Sequence, residues 1–303
     1  MASKLTAQAR RNRRLMERGI ETLLFLAAAS SVFVTLGIIG VLAYESSSFF
    51  SHVPLSTFLT DTVWTPLFSE PRYGILPLLC GTLLATTVAL VVAIPIGLTA
   101  AVYLSEFASS RFREIVKPAL ELLSSVPTVV YGFFALLFVT PLLQKTILPN
   151  LPSFNVLSAG IVIGIMIIPY VASLSEDAMS AVPQGLRDSS LALGATNLET
   201  ALKVVLPAAM SGIAAAVVLG LSRAIGETMV VAIAAGQQPN LTFDPREPAA
   251  TITAFIVQVA LGDLPHGSIG YQSIFAAGLV LFLITLLFST LSFWLRRRFR
   301  EVY

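Results

Sequence analysis

Leu219-Gly220-Leu221-Ser222-Arg223-Ala224-Ile225-Gly226-Glu227-Thr228-Met229-Val230 has apolar sequence on both sides. No charged residue occurs between Val204 and Ser222, and none between Thr228 and Phe243. Arg223 thus falls near the middle of a segment long enough to cross a bilayer, which takes about 20 residues. A guanidinium at that depth costs about 3 kcal/mol on insertion scales, so a partner, water or a ligand must compensate it. Glu227 follows four residues on, and on one helix the two heads share a face. Either the pair faces an anion pathway, or it is a structural ion pair that fixes helix packing. The first reading is preferred. Ionisable groups inside a membrane are functional by default, and Arg before Glu is the weaker order for such a pair.

The composition agrees with a membrane. Of 303 residues, 55% are hydrophobic and 12% charged, against roughly 25% charged in soluble domains. Mean hydropathy is +0.83. The single cysteine, Cys80, has no metal-ligand neighbours, and no metal site is expected.

Outward from Arg223 the chain divides into six apolar spans: about Thr22–Tyr44, within Tyr73–Leu104, about Pro118–Leu143, about Phe154–Ser175, from Val204 through Arg223, and about Ile269–Leu295. Residues 1–21 form a basic segment and 296–303 a basic tail, flanking the six-span region 22–295. Basic residues at both ends place both termini in the cytoplasm and require an even number of crossings. The run Thr22–Tyr44 is too long for a signal-peptide core. The N-terminal arginines lack the interleaved aromatics of a nucleic-acid site, so no nucleic-acid partner is expected. Glu45–Arg72 and Gln237–Gly267 read as outer loops. Within the second, the apolar Thr251–Leu261 is short and reads as an interfacial or re-entrant helix. In the third span, Ser124, Ser125, Thr128 and Tyr131 beside Pro127 offer hydroxyls, for helix packing or for a polar passenger.

The inner loop between the fourth and fifth spans, about 183–203, contains Asp188-Ser189-Ser190-Leu191-Ala192-Leu193-Gly194-Ala195, followed by Val204-Val205-Leu206-Pro207. This resembles the motif of ATP-binding-cassette (ABC) importer permeases, written Glu-Ala-Ala, then Gly, then Ile-x-Leu-Pro. Asp-Ser-Ser in place of Glu-Ala-Ala keeps the charge and the small size. A short helix of small residues makes a knob that seats in a cleft. Gly194 lets the chain leave that helix, and Pro207 is tolerated in the first turn of the next. The chain has no Gly-x-x-x-x-Gly-Lys-Ser/Thr loop, so any ATPase must be a separate chain.

Further stretches resemble the phosphate-specific ABC importer permeases, nearest to the PstC-type subunit: Ala93-Ile94-Pro95-Ile96-Gly97, Ser125 to Gly132, Ile165 to Tyr170, and Ser222 to Met229. The resemblance implies an all-α, six-helix type I importer permease fold in the inner (plasma) membrane of a bacterium. It implies a PstA-type second permease, a PstB-type ATPase dimer that binds ATP and Mg, and an extracytoplasmic PstS-type phosphate-binding protein. This chain would hold no cofactor. The resemblance also implies that Arg223 and Glu227 lie on the phosphate path, and Ser222 and Thr228 beside them are further path candidates. The fork of an arginine suits phosphate oxygens, and an ionised Glu227 could accept the proton that phosphate retains near neutral pH and sulfate lacks. A permease for sulfate or molybdate is the nearest alternative. An ATP-independent anion transporter would leave Asp188 to Pro207 unexplained, and nothing in the sequence supports an enzyme.

Overall fold

The computed structural model describes the backbone of residues 2–298, and the side chains of 16–262, 264–291, 293 and 294. Most basic side chains of the 1–21 segment, and those of the 296–303 tail, lie outside the described residues. The elements are α1 (Ala2–His52), α2 (Leu55–Thr60), α3 (Leu76–Val102), α4 (Ser110–Ser124), α5 (Thr128–Phe134), α6 (Thr140–Thr146), α7 (Val156–Ser180), α8 (Gln184–Ala192), α9 (Asn197–Thr200), α10 (Leu206–Ala208), α11 (Met210–Ile225), α12 (Met229–Ala234), α13 (Ile252–Gln258) and α14 (Ile269–Arg298). π-helical turns extend α3 through Tyr103–Phe107 and α13 through Val259–Asp263, and they join α5 to α6 and α9 to α10. Among the described residues no β-strand forms.

Five helices are long and apolar enough to cross a membrane: Met16–His52, Leu76–Phe107, Thr128–Thr146, Val156–Ser180 and Ile269–Leu291. The pair Asn197–Ala208 and Met210–Ile225, bent by 72°, makes a sixth if taken as one span. Three expected boundaries are corrected. Pro118 to Ser124 belongs to α4, not to the third span. The break falls at Ser125-Val126-Pro127, because a residue before proline is steered away from helical angles and Pro127 itself is extended (ψ 133°). The fourth span runs on through Glu176 and Asp177 to Ser180, because both carboxylates have partners there. The expected outer loop from Glu45 is helical up to His52, where Phe49 packs edge-on against Phe58 and Tyr73.

α3 is the spine of the bundle. About 1.5 Å of rise per residue makes it roughly 40 Å long. Three packed clusters follow one another along it. Leu78 at its start joins Phe49, Trp64, Ile252 and Phe255. Ala85, Ala89 and Ala93 join α5, α7 and α12. Ala101 at its end joins Met179, Val182 and Val205. In lipid no hydrophobic force draws helices together, so close approach through small residues takes over. A Cβ on Gly164 would lie 2.8 Å from the Ala89 carbonyl oxygen, and one on Gly160 would lie 2.6 Å from the Val88 side chain.

Gly164→Ala is therefore expected to destabilise the chain by about 1–3 kcal/mol, the usual cost of overpacking. Gly37→Ala on α1, which meets nothing within 4 Å, should be neutral or mildly stabilising. Thermal unfolding in detergent checks this, and equal midpoints would contradict the close α3–α7 contact.

Candidate transport site

α11 ends at Ile225 because Gly226 and Glu227 turn their N–H groups back onto Ser222 and Ala224. Arg223 occupies the last turn of α11, where the partial negative charge of a helix C-terminus favours a cation. Glu227 lies beyond that helix. Its Oε1 accepts from the N–H groups of Met229 and Val230 at 3.2 and 3.3 Å, at the start of α12. Its Oε2 accepts from Arg223 Nη1 at 3.0 Å. The two charges do not share one helix face, as the sequence suggested. They bridge a break between two helices, each at the end that suits its sign, so the unfavourable order of a single-helix pair does not apply.

The pair is lopsided. The Glu227 side chain is 2% exposed and that of Arg223 is 36% exposed. A guanidinium carries five N–H donors. Among the described residues Arg223 directs them only to Glu227 and, at 4.0 Å, to the sulfur of Met166 on α7. Ala224 belongs to the middle cluster along α3, so the open guanidinium sits about halfway along the bundle.

The α13 segment reaches this break from the other side. Thr253 Oγ1 donates to the Glu227 carbonyl at 2.8 Å, and the Ile252 N–H donates to Thr82 Oγ1 on α3 at 3.1 Å. Ile252 to Phe255 are buried, so the segment inserts into the bundle as a re-entrant helix does. Thr82, Met166 and Thr253 were missed from the sequence. The available signal was two hydroxyls at Thr251 and Thr253 opening an apolar run.

The other expected path residues divide. Tyr131 packs in one cluster with Ala224, Val230 and Val231, but its hydroxyl donates to the Leu123 carbonyl. Ser222 and Thr228 bond to the backbone carbonyls of Val218 and Gly226. Ser222 also lines an open groove of about 360 Å³ between α7, α11 and α14. Ser124 and Ser125 turn their hydroxyls onto Glu121 and Leu122. Among the described residues no hydrogen bond joins Ser124, Ser125 or Thr128 to the pair.

The Asp188–Pro207 motif folds at the other end of α3. α8 holds Asp188, Ser189, Ser190, Leu191 and Ala192. Gly194 leaves it at φ +90°, which a side chain would resist. Ser190 is buried against Thr200, whereas Asp188, Ser189, Leu191 and Ala192 face outward and Leu193 is 90% exposed. A dent of about 390 Å³ lies beside Leu193, Gly194 and Ala195. Pro207 sits in α10, two residues before the bend at Ala209. Behind α8 lie Glu106 with Arg187, and Glu176 and Asp177 with Lys117, none of them expected. Partial burial presses the Lys117 ammonium down, but the two carboxylates outweigh it and hold it above the usual lysine value, so it stays charged at neutral pH.

Residues 93–301 match the family described as binding-protein-dependent transport system inner membrane component. The chain belongs to this family. It is an inner membrane permease component of ABC importers, a transport part rather than a catalytic domain. A relative in Bacillus subtilis (strain 168), probable ABC transporter permease protein YqgH, is 34% identical, covering 98% of this permease and 96% of its own length. The phosphate transport system permease protein PstC of Mesorhizobium japonicum is 32% identical over 90% of this permease and 88% of its own length. In fold the permease is similar to a chain of a bacterial ABC transporter involved in the import of the acidic polysaccharide alginate (TM-score 0.64, 16% identity, 98% of this permease and 100% of that chain). It is also similar to a chain of the inward-facing MetNI methionine ABC transporter (TM-score 0.55, 18% identity, 75% and 95%).

The lopsided burial sets an order of stabilities. Arg223→Gln strands a buried carboxylate and is expected to cost about 3–5 kcal/mol. Glu227→Gln keeps an oxygen for the two N–H groups and leaves a half-exposed cation, so it should cost less. The double variant should recover part of the Arg223→Gln loss. Thermal unfolding of the three variants in nanodiscs measures this as a cycle, and strictly additive losses would contradict the pairing.

Proposed function

We propose that this permease forms part of the membrane path of an ATP-driven phosphate importer, with Arg223 as its anion contact. The observation that carries the reading is the half-exposed guanidinium, with donors to spare, held by Glu227 midway along the bundle. Relatives named phosphate transport system permease protein PstC align with most of the chain, which favours phosphate among the oxyanions. Glu227 keeps Arg223 in place, and an anion that draws the guanidinium off its buried Oε2 would free that oxygen to accept the proton of a phosphate ion. Sulfate has no such proton to offer and meets only repulsion there. A carboxylate beside the arginine also keeps binding weak enough for release.

The exposed outer face of α8, with Leu193 at its end, is the part proposed to meet the separate ATPase. That subunit, a PstB-type dimer, would supply the ATP and Mg site. A PstA-type permease would complete the path, and a PstS-type protein would deliver phosphate from outside. The basic flanks favour placing both termini and α8 in the cytoplasm.

Reconstitution with these partners in proteoliposomes, with labelled phosphate and binding protein outside and ATP inside, tests the reading. Arg223→Gln and Arg223→Lys are expected to assemble and to lose uptake, the second less completely, because lysine keeps the charge without the planar fork. Unchanged uptake in both would return Arg223 to a packing role. Sulfate or molybdate uptake in place of phosphate would change the substrate. Glu227→Gln with unchanged uptake and unchanged discrimination against sulfate would remove Glu227 from selectivity.

A further inference from the structure

Arg187 is fixed more completely than any other arginine near α8. Its Nε and Nη2 donate to the two carboxylate oxygens of Glu106 at 3.1 and 2.9 Å. Nη1 donates to the Val182 carbonyl and Nη2 also to the Met179 carbonyl, at 2.5 and 2.8 Å. Glu106 lies in the π-helical turn that ends α3, 81 residues away in sequence. Met179 lies in the last turn of α7 and Val182 two residues beyond its end, where the partial negative charge of the helix C-terminus favours a cation. The side chains are 12% and 9% exposed. Glu106 is further held by Ser105, and Arg113 of α4 clasps the carbonyls of Leu104 and Ser105 beside it.

An apolar contact would stabilise such a junction as well as a buried ion pair does, since desolvation offsets much of the attraction. An apolar contact can slide, however, while a bidentate fork with two further carbonyls has one register. The exposed Glu199–Lys203 pair nearby holds nothing comparable, because such pairs contribute little. From Met179, α7 runs back to Met166, whose sulfur touches Arg223. That is 13 residues, or about 20 Å of helix.

We infer that Arg187 is a positioning residue that pins α8 to the ends of α3 and α7, so that a push on α8 moves both helices and, through α7, the Arg223 site. The pin transmits force and touches neither the transported ion nor nucleotide. The inference rests on reading α8 as the ATPase-facing helix.

The reconstituted complex tests it, in a Cys80→Ala background, by measuring uptake and ATP hydrolysis together. Couplings between sites are typically 5–150-fold, so Arg187→Gln is expected to lower uptake per ATP hydrolysed by about tenfold. Hydrolysis should continue, and Leu193→Cys should still cross-link to the ATPase. Glu106→Gln, which frees α3 but leaves Arg187 on the α7 carbonyls, should show a smaller loss. Joining Glu106→Cys to Arg187→Cys with a short bis-thiosulfonate should restore coupling, and reduction should remove it. Uptake per ATP unchanged in Arg187→Gln, with Leu193→Cys still captured, would overturn the pin alone. Uptake and hydrolysis falling in proportion in both single variants, with no rescue by the cross-link, would also overturn it. No capture of Leu193→Cys in the otherwise unmodified chain would overturn the reading of α8 and the pin with it.

Discussion

The contact between Arg223 and Glu227 across the break after Ile225 is the constraint around which the middle of the molecule is arranged. A charge in an apolar bundle needs a counter-charge, and a helix end in the same bundle needs hydrogen-bond partners. Gly226 ends α11 and so creates both helix ends at one place. Arg223 then sits at a helix C-terminus, and Glu227 bonds the first N–H groups of α12. Each residue meets a backbone need and an electrostatic need together. Thr253 closes the remaining carbonyl, which draws α13 into the bundle although it is too short to span it.

The framework that holds this arrangement relies on small residues. Ala85 and Ala89 on α3 lie against Gly160 and Gly164 on α7. The backbones come close enough for dispersion to hold helices that lipid would otherwise solvate equally well. The same pair of helices carries the buried charges Glu106 and Glu176 toward their far ends. The bundle therefore joins two polar places, the middle and the α8 end, through a closely packed apolar stretch.

Legibility in the sequence followed the range of the interaction. The membrane class, the spans around α3, α7 and α14, the α8 motif and Arg223 itself all come from composition and local pattern. Hydropathy carries the third span back to Pro118, because a proline by its type alone does not show whether it sits inside a helix, as Pro118 does in α4, or marks a break, as Pro127 does before α5. The serines at 124 and 125 read as path hydroxyls from their type and position alone, and the structure adds that each bonds a carbonyl three residues back, the local bonding that serine offers at a helix end. The glycines and alanines of the α3–α7 contact were visible in the sequence at four-residue spacing, but only the fold says which helix each stripe meets.

What the sequence determined by itself was therefore additive: hydropathy sums along the chain, and a lone arginine among apolar residues stands out whatever surrounds it. It also carried the α8 motif, whose spacing is set within one short loop. Only the tertiary structure decided that Glu227 lies beyond α11 and bonds the first N–H groups of α12, that Thr253 reaches it, and that Arg187 meets Glu106 across 81 residues. Those contacts depend on where helices end and how closely they pack. A turn started one residue earlier rotates every following side chain by about 100°, so no local pattern fixes them.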